Sequence, residues 1–360
     1  MSGNEIRRVV VTGATGLLGR SVVAELVGGG VEVVAIVRSK ERARRALGEQ
    51  DALHLVAGDV LDPTAWVSAL RDADAVIHTA AYFREYYRSR FDPRLLERTN
   101  VGAVAGLIAA ADEADVPVVV HISSSGTIGP VRRGELADED TLPGKWSQRN
   151  HYYASKVRAD RRIDELRDTH SVRIPVVVPG WMWGPGDGAP TASGEMFLSI
   201  ANGTAAGVPR VSVHLVDARD VAHACVRAAQ VGLSRRYVVA GERHDLAAVG
   251  AQIAKLCGAP APRPVSPRLA LAASGLLQLA DRLRGRPPLV TSRATRVLID
   301  SAKQRISSAR AQTELGVIFR PIAETLSDEA QWFRQHHLIG PQPSGVGAPR
   351  SRRNAVEAQQ

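Results

Sequence analysis

The chain has 360 residues, 44% apolar and 23% charged, with a formal net charge of +9. This composition excludes a disordered chain, and the length allows one large α/β domain or a nucleotide-binding domain with a smaller partner. The excess charge is arginine scattered along the sequence, with lysine only at Lys40, Lys145, Lys156, Lys255 and Lys303, which argues against nucleic acid and for anionic ligands.

In chain order, short apolar runs predict strands at 8–13, 32–37, 53–59, 75–80, 116–124 and 173–179. Helical periodicity predicts helices between them at 18–27, 40–48, 63–71, 93–114 and 152–169. Strands buried on both faces and alternating with helices imply an α/β fold, a Rossmann-type doubly wound parallel sheet. After Pro179 the pattern breaks into Gly/Pro-rich loops, and strands near 211–217 and 235–241 are expected to complete the sheet. Residues 179–210 and 242–336 then form a smaller C-terminal substrate-binding region beside an NAD(P)-binding domain over 1–178. Within that region the apolar stretch 269–280, flanked by Arg268, Arg282 and Arg284, reads as an amphipathic core helix or a membrane-surface helix. The Pro/Gly/Arg-rich tail over 337–360 is expected to be disordered.

Cys225 and Cys257 have no zinc-site spacing, so no metal is expected. No secretory h-region and no run of about 18 apolar residues is present, so a cytoplasmic location without a transmembrane span is expected.

The first strand runs into VTGATGLLGR, which places Gly13, Gly16 and Gly19 across a strand-to-helix turn. Glycines there let a helix N-terminus approach a pyrophosphate, so dinucleotide binding is expected. The second strand ends in Val37 and Arg38 where an NAD-preferring site would carry a carboxylate for the ribose. A guanidinium can pair with a 2′-phosphate, which favours NADP(H) over NAD(H).

NHYYASK, 150–156, sets a lysine four residues after Tyr152 and three after Tyr153. Both spacings place lysine and tyrosine on one helix face, so spacing alone leaves either tyrosine open. An adjacent ammonium is expected to draw a phenol pKa down from about 10.

These elements together resemble the extended short-chain dehydrogenase/reductase family, within the NAD-dependent epimerase/dehydratase superfamily, and look most like its dihydroflavonol-4-reductase-like branch. The matching motifs are TGATGLLG (12–19), GDVLD (58–62), VIHTAA (76–81), TNVGA (99–103), HISSSGTIG (121–129), YYASK (152–156), GP (184–185) and VDARDVA (216–222). The resemblance implies Ser125, Tyr152 and Lys156 as catalytic residues, with Ser123 and Ser124 closing the strand locally. It also implies a cofactor lined by Gly13, Thr15, Gly16, Leu17, Leu18, Gly19, Arg38, Asp59, Val60, Thr79, Ala80, Ala81, Tyr152, Lys156 and Pro179. DARD, 217–220, is expected to be structural, as are His121, His151 and His214.

Aromatics gather after the fourth strand and after the sixth, so Tyr82, Phe83, Arg84, Trp181 and Trp183 are expected to meet an apolar or ring-containing small-molecule substrate. The expected activity is reduction or oxidation at a carbonyl or secondary alcohol. Rival readings are a nucleotide-sugar epimerase or dehydratase with bound NAD, and a hydroxysteroid dehydrogenase-like enzyme with peripheral membrane contact. Relatives are commonly homodimers, so a homodimer is also expected.

Overall fold

The structure is a computed structural model and describes residues 5–83, 91–132, 134–283 and 292–340. Seven parallel strands form the main sheet: β1 (Arg8–Thr12), β2 (Glu32–Val37), β3 (Leu53–Ala57), β4 (Ala75–His78), β5 (Val119–Ile122), β6 (Val176–Pro179) and, later in the chain, β10 (Arg236–Val239). Their order is β10-β6-β5-β4-β1-β2-β3. The chain thus builds outward from β1 to β3 and returns to the other side of β1 with β4, which opens a crevice at the β1/β4 reversal.

Helices cover both faces: α1 (Leu17–Gly28), α2 (Lys40–Leu47), α3 (Pro93–Glu97), α4 (Ala103–Glu113), α5 (Lys145–Gln148) and α6 (His151–Arg167). Pro63–Leu70 winds as a 3-10 helix. The helix expected over 93–114 is interrupted by a π turn, Arg98–Gly102, between α3 and α4. Val9, Val11 and Ile77 face one apolar layer, and Val10, Val34 and Val76 face the opposite one. Alternate residues of a strand covered on both sides are all buried, which is why these strands read as continuous apolar runs.

Beyond β6 lie β7 (Trp181–Trp183), α7 (Ala192–Ala201), β8 (Gly207–Pro209), β9 (Ser212–Asp217) and α8 (Ala218–Val231). After β10 follow β11 (Glu242–Asp245), α9 (Leu246–Cys257), β12 (Arg263–Val265), α10 (Pro267–Leu283), α11 (Ser292–Ser301), α12 (Ala309–Glu314) and α13 (Ile322–Gln335). One sequence expectation is corrected here. The strand at 211–217 does not join the main sheet; β9 is the centre of a separate sheet ordered β11-β9-β7. Only the 235–241 segment supplies the seventh strand, through parallel pairing of β10 with β6.

DARD fastens the last helix to the fold. Asp217 caps α8 through the Arg219 amide and accepts from the Thr325 hydroxyl, and Asp220 accepts the Arg320 amide. The guanidinium of Arg20, on α1, lies 5.8 Å from the ring centre of Trp332 on α13.

α10 does not have the profile of a core helix. Leu269, Leu276, Leu277, Leu279 and Leu283 are all exposed, whereas Ser274 is buried. No helix among the described residues is long and apolar enough to cross a membrane.

Candidate active site

The cofactor-side residues follow from strand register. Thr12 pairs with Ile36 of β2 and His78 of β4, and Val37 pairs with Ala57 of β3. Gly13, Arg38, Asp59 and Thr79–Ala81, one to three residues past those strand ends, therefore share one edge of the sheet. Gly13 has φ +72, and a Cβ there would lie 2.6 Å from the Ala80 nitrogen. At Gly19 a Cβ would lie 2.1 Å from the Gly13 oxygen, so α1 can start this close to β1 only with glycine. Gly16 caps α1 without a side-chain acceptor, which leaves first-turn N–H groups for an external anion. These features fit the pyrophosphate of a dinucleotide.

Thr15 is exposed in the turn, while Leu17 and Leu18 are buried in the first turn of α1. Arg38 is exposed beyond β2. Asp59 turns its chain by accepting from the Leu61 amide, and Val60 is half-buried. Thr79 donates its hydroxyl to the Thr12 carbonyl, tying β4 to β1. Pro179 ends β6 and is buried.

Asn150 caps α6, its side-chain oxygen accepting from the Tyr152 and Tyr153 amides at 3.0 and 3.2 Å. A cap of this type is worth about 1 kcal/mol and fixes where the helix begins. Tyr152, Lys156 and Asp160 then recur each turn on its buried face. The Lys156 ammonium donates to the Ile122 carbonyl at the end of β5, 2.7 Å away. Ser125 stands three residues beyond, opening the 3-10 turn Ser125–Thr127, and is buried. Helix and strand end thus bring Ser125, Tyr152 and Lys156 into one neighbourhood.

One expectation is corrected at this site. Burial pushes the Tyr152 phenol up, with Tyr153 and Asp160 adding to the effect, so the lysine does not draw it down in this arrangement. Burial instead lowers Lys156 to about 8, against the opposing pull of Asp160. Ser123 lies 3.5 Å from the Thr127 hydroxyl, a local contact, and its own hydroxyl also donates to Asp160, 37 residues away. Ser124 also acts locally, accepting from the Gly126 amide.

His78 and His121 stack at 6.0 Å beneath this region. Burial, and then the Lys156 charge, lowers His78 to about 3 and holds His121 well below its ordinary value, so both rings are neutral. His214 accepts the Ile306 amide on Nε2, which leaves Nδ1 to donate to the Gly241 carbonyl.

The aromatics divide between two clusters. Tyr82, Tyr152 and Tyr153 pack with Leu96 and Val297, joined by Phe83, Phe91 and Trp146. Phe83 meets the Tyr152 ring edge-on at 5.0 Å, and Trp146 meets Tyr153 likewise at 5.2 Å. Trp183, in contrast, is fully buried against Phe197 in the core of the C-terminal region, where Trp181 packs half-buried. Arg84, Tyr86, Tyr87 and Arg88 lie outside the described residues.

Several supporting residues escape a reading of the sequence. Asn100, in the π turn, accepts the Tyr82 amide and donates to the Ser155 hydroxyl, joining the β4 loop to α6. TNVGA was its visible signal. Arg236 donates to Asp160 and Thr127 from the first residue of β10. Ser301, the last residue of α11, and Gln304, just beyond it, reach the site with no local pattern to announce them.

The model of the NAD dependent epimerase/dehydratase family matches residues 9–241. A Synechocystis sp. protein described provisionally as a dihydroflavonol 4-reductase is 28% identical, covering 91% of this chain and 95% of its own. Sterol demethylase protein B of Methylococcus capsulatus is also 28% identical, covering 92% and 99%. Among solved structures, gox2253 superposes with a TM-score of 0.76 at 28% identity over 92% of this chain and 99% of its own.

Proposed function

The chain belongs to the NAD dependent epimerase/dehydratase family, and from that premise we propose that it is an NADP(H)-dependent oxidoreductase acting on a carbonyl or secondary alcohol of an apolar, ring-containing small molecule. The observation that carries this reading is the buried, Asn150-capped face of α6, which sets Tyr152 and Lys156 one turn apart at the end of β5.

The glycine turn, Asp59 and Thr79–Ala81 hold the cofactor, and Arg38 meets the 2′-phosphate because no carboxylate stands at that strand end to repel it. When bound, the nicotinamide supplies or removes a hydride at the substrate carbon. Tyr152 donates its phenolic proton to the carbonyl oxygen, and the Ser125 hydroxyl bonds the same oxygen. Lys156 keeps a positive charge beside the reacting oxygen and contacts the nicotinamide ribose. Tyr82 and Phe83 supply an apolar wall for the substrate, and the names of both relatives refer to polycyclic compounds. The exposed leucines of α10 are the face that a peripheral membrane contact would use. Flotation with lipid vesicles tests that contact, and a chain left wholly at the bottom of the gradient counts against it.

Thermal shifts with NADPH, NADH, NADP and NAD, followed by a screen of cyclic ketones read as loss of reduced cofactor, test the assignment. Stabilisation by NADPH with turnover of a ring ketone is expected. Stabilisation by NAD alone would overturn the Arg38 argument and favour the epimerase/dehydratase reading.

A further inference from the structure

Residues 301–308 cross over the site as a strap whose side chains and backbone are tied down at each step. The Ser301 hydroxyl donates to the Val297 carbonyl, so at 3.3 Å from the Tyr153 hydroxyl it is the acceptor and the phenol the donor. The Ala137 amide donates to the Arg305 carbonyl, and the Ser307 amide returns a bond to the Ala137 carbonyl. The Ile306 amide donates to His214, and Ser308 accepts the Ala240 amide. At the centre lies Gln304, 3% exposed, whose single amide nitrogen donates to the Ser125 carbonyl at 2.6 Å and the Ile128 carbonyl at 2.7 Å. Those carbonyls mark the two ends of the turn that carries the Ser125 hydroxyl. The opposite side of the turn is closed by the Tyr153 ring, which a Cβ on Gly126 would approach to 2.0 Å.

We infer that Gln304 is a positioning residue for the Ser125 hydroxyl, with Tyr153 and Ser301 bracing the same turn; this rests on the roles given above to Ser125 and Tyr152. A buried amide with both N–H groups satisfied fixes two carbonyls at once, and loss of its donors leaves those carbonyls short of partners. A carboxylate in its place sets negative oxygen against two carbonyl oxygens. It can donate only when protonated, and burial among acceptors raises the pH at which that happens.

The test is Gln304→Glu, with Gln304→Met as a side chain of similar length that donates nothing. Displacing a reacting group by about an ångström costs on the order of 100-fold in rate. For Gln304→Glu at pH 8 we expect kcat roughly 10- to 100-fold below the unsubstituted enzyme, with the cofactor thermal shift retained. The ratio of variant to parent kcat should climb as pH falls and the carboxyl gains its proton. Gln304→Met should show the same loss with no recovery, and it carries the kcat test if Gln304→Glu does not fold. Both variants near parental kcat, in an enzyme that Tyr152→Phe inactivates, would overturn the inference. Full activity of Tyr152→Phe would instead defeat the functional reading on which it stands.

Discussion

The dinucleotide edge of the site and its tyrosine side are built by different means. At the edge, β1 to β4 arrive in register and the space is set by backbone: Gly13 against Ala80, Gly19 against the Gly13 carbonyl. On the tyrosine side, side chains are held by partners far along the chain, such as Ser301 for Tyr153 across 148 residues and Gln304 for Ser125 across 179. The first design cannot accept a single added carbon. The second can accept changes of shape provided its hydrogen bonds survive.

The largest expected effect lies on the tyrosine side. Tyr152→Phe should lower turnover by about 10²- to 10⁴-fold, the usual contribution of a positioned acid, with cofactor binding intact. Tyr153→Phe keeps the ring over Gly126 and gives up one hydrogen bond, about 1 kcal/mol of stability, with most turnover retained. Steady-state kinetics and urea unfolding read the pair, and equal losses of turnover would erase the distinction between the two tyrosines.

Next comes the glycine edge. Gly19→Ala should abolish the cofactor-induced thermal shift, because its Cβ meets the Gly13 carbonyl at 2.1 Å. Gly28→Ala, at the far end of the same helix, meets nothing within 4 Å and should leave the shift unchanged. A Gly19→Ala protein that still responds to cofactor would show that the turn yields more readily than its contacts suggest.

Acid and base should act on the two sides differently. A histidine kept neutral by burial takes up a proton in the unfolded chain first, so stability contributed at His78 is complete above 6.5 and is lost as pH falls toward about 3. Lys156 loses its charge as pH rises through about 8, so turnover should fall there while the fold persists. Circular dichroism and initial rates across pH separate the two. The smallest effect is at the helix cap: Asn150→Ala should cost about 1 kcal/mol by urea unfolding, and Asn150→Ser much less.

The division between the regions also explains what could be read from the residues alone. All six early strands were expected where they occur, though several were drawn too long, because the period-free apolar runs of a covered sheet are local signals. The GATGLLG turn and NHYYASK carried their geometry with them for the same reason. Three features depended on partners that no window of sequence contains. β9 formed a second sheet because β7 and β11 were there to flank it. Ser123 turned to Asp160 because α6 brought a carboxylate under it. Trp183 went into the C-terminal core because Phe197 and its neighbours enclosed it.

The stacking of Arg20 on Trp332 couples the two ends of the fold. Arg20 rides on the helix whose first turn faces the dinucleotide, while Trp332 belongs to the last helix, so each stabilises the other's placement. A cofactor that steadies α1 is expected to steady α13 through this contact. Carboxyl-terminal digestion should therefore slow when NADPH is present, and Trp332→Ala should weaken that protection.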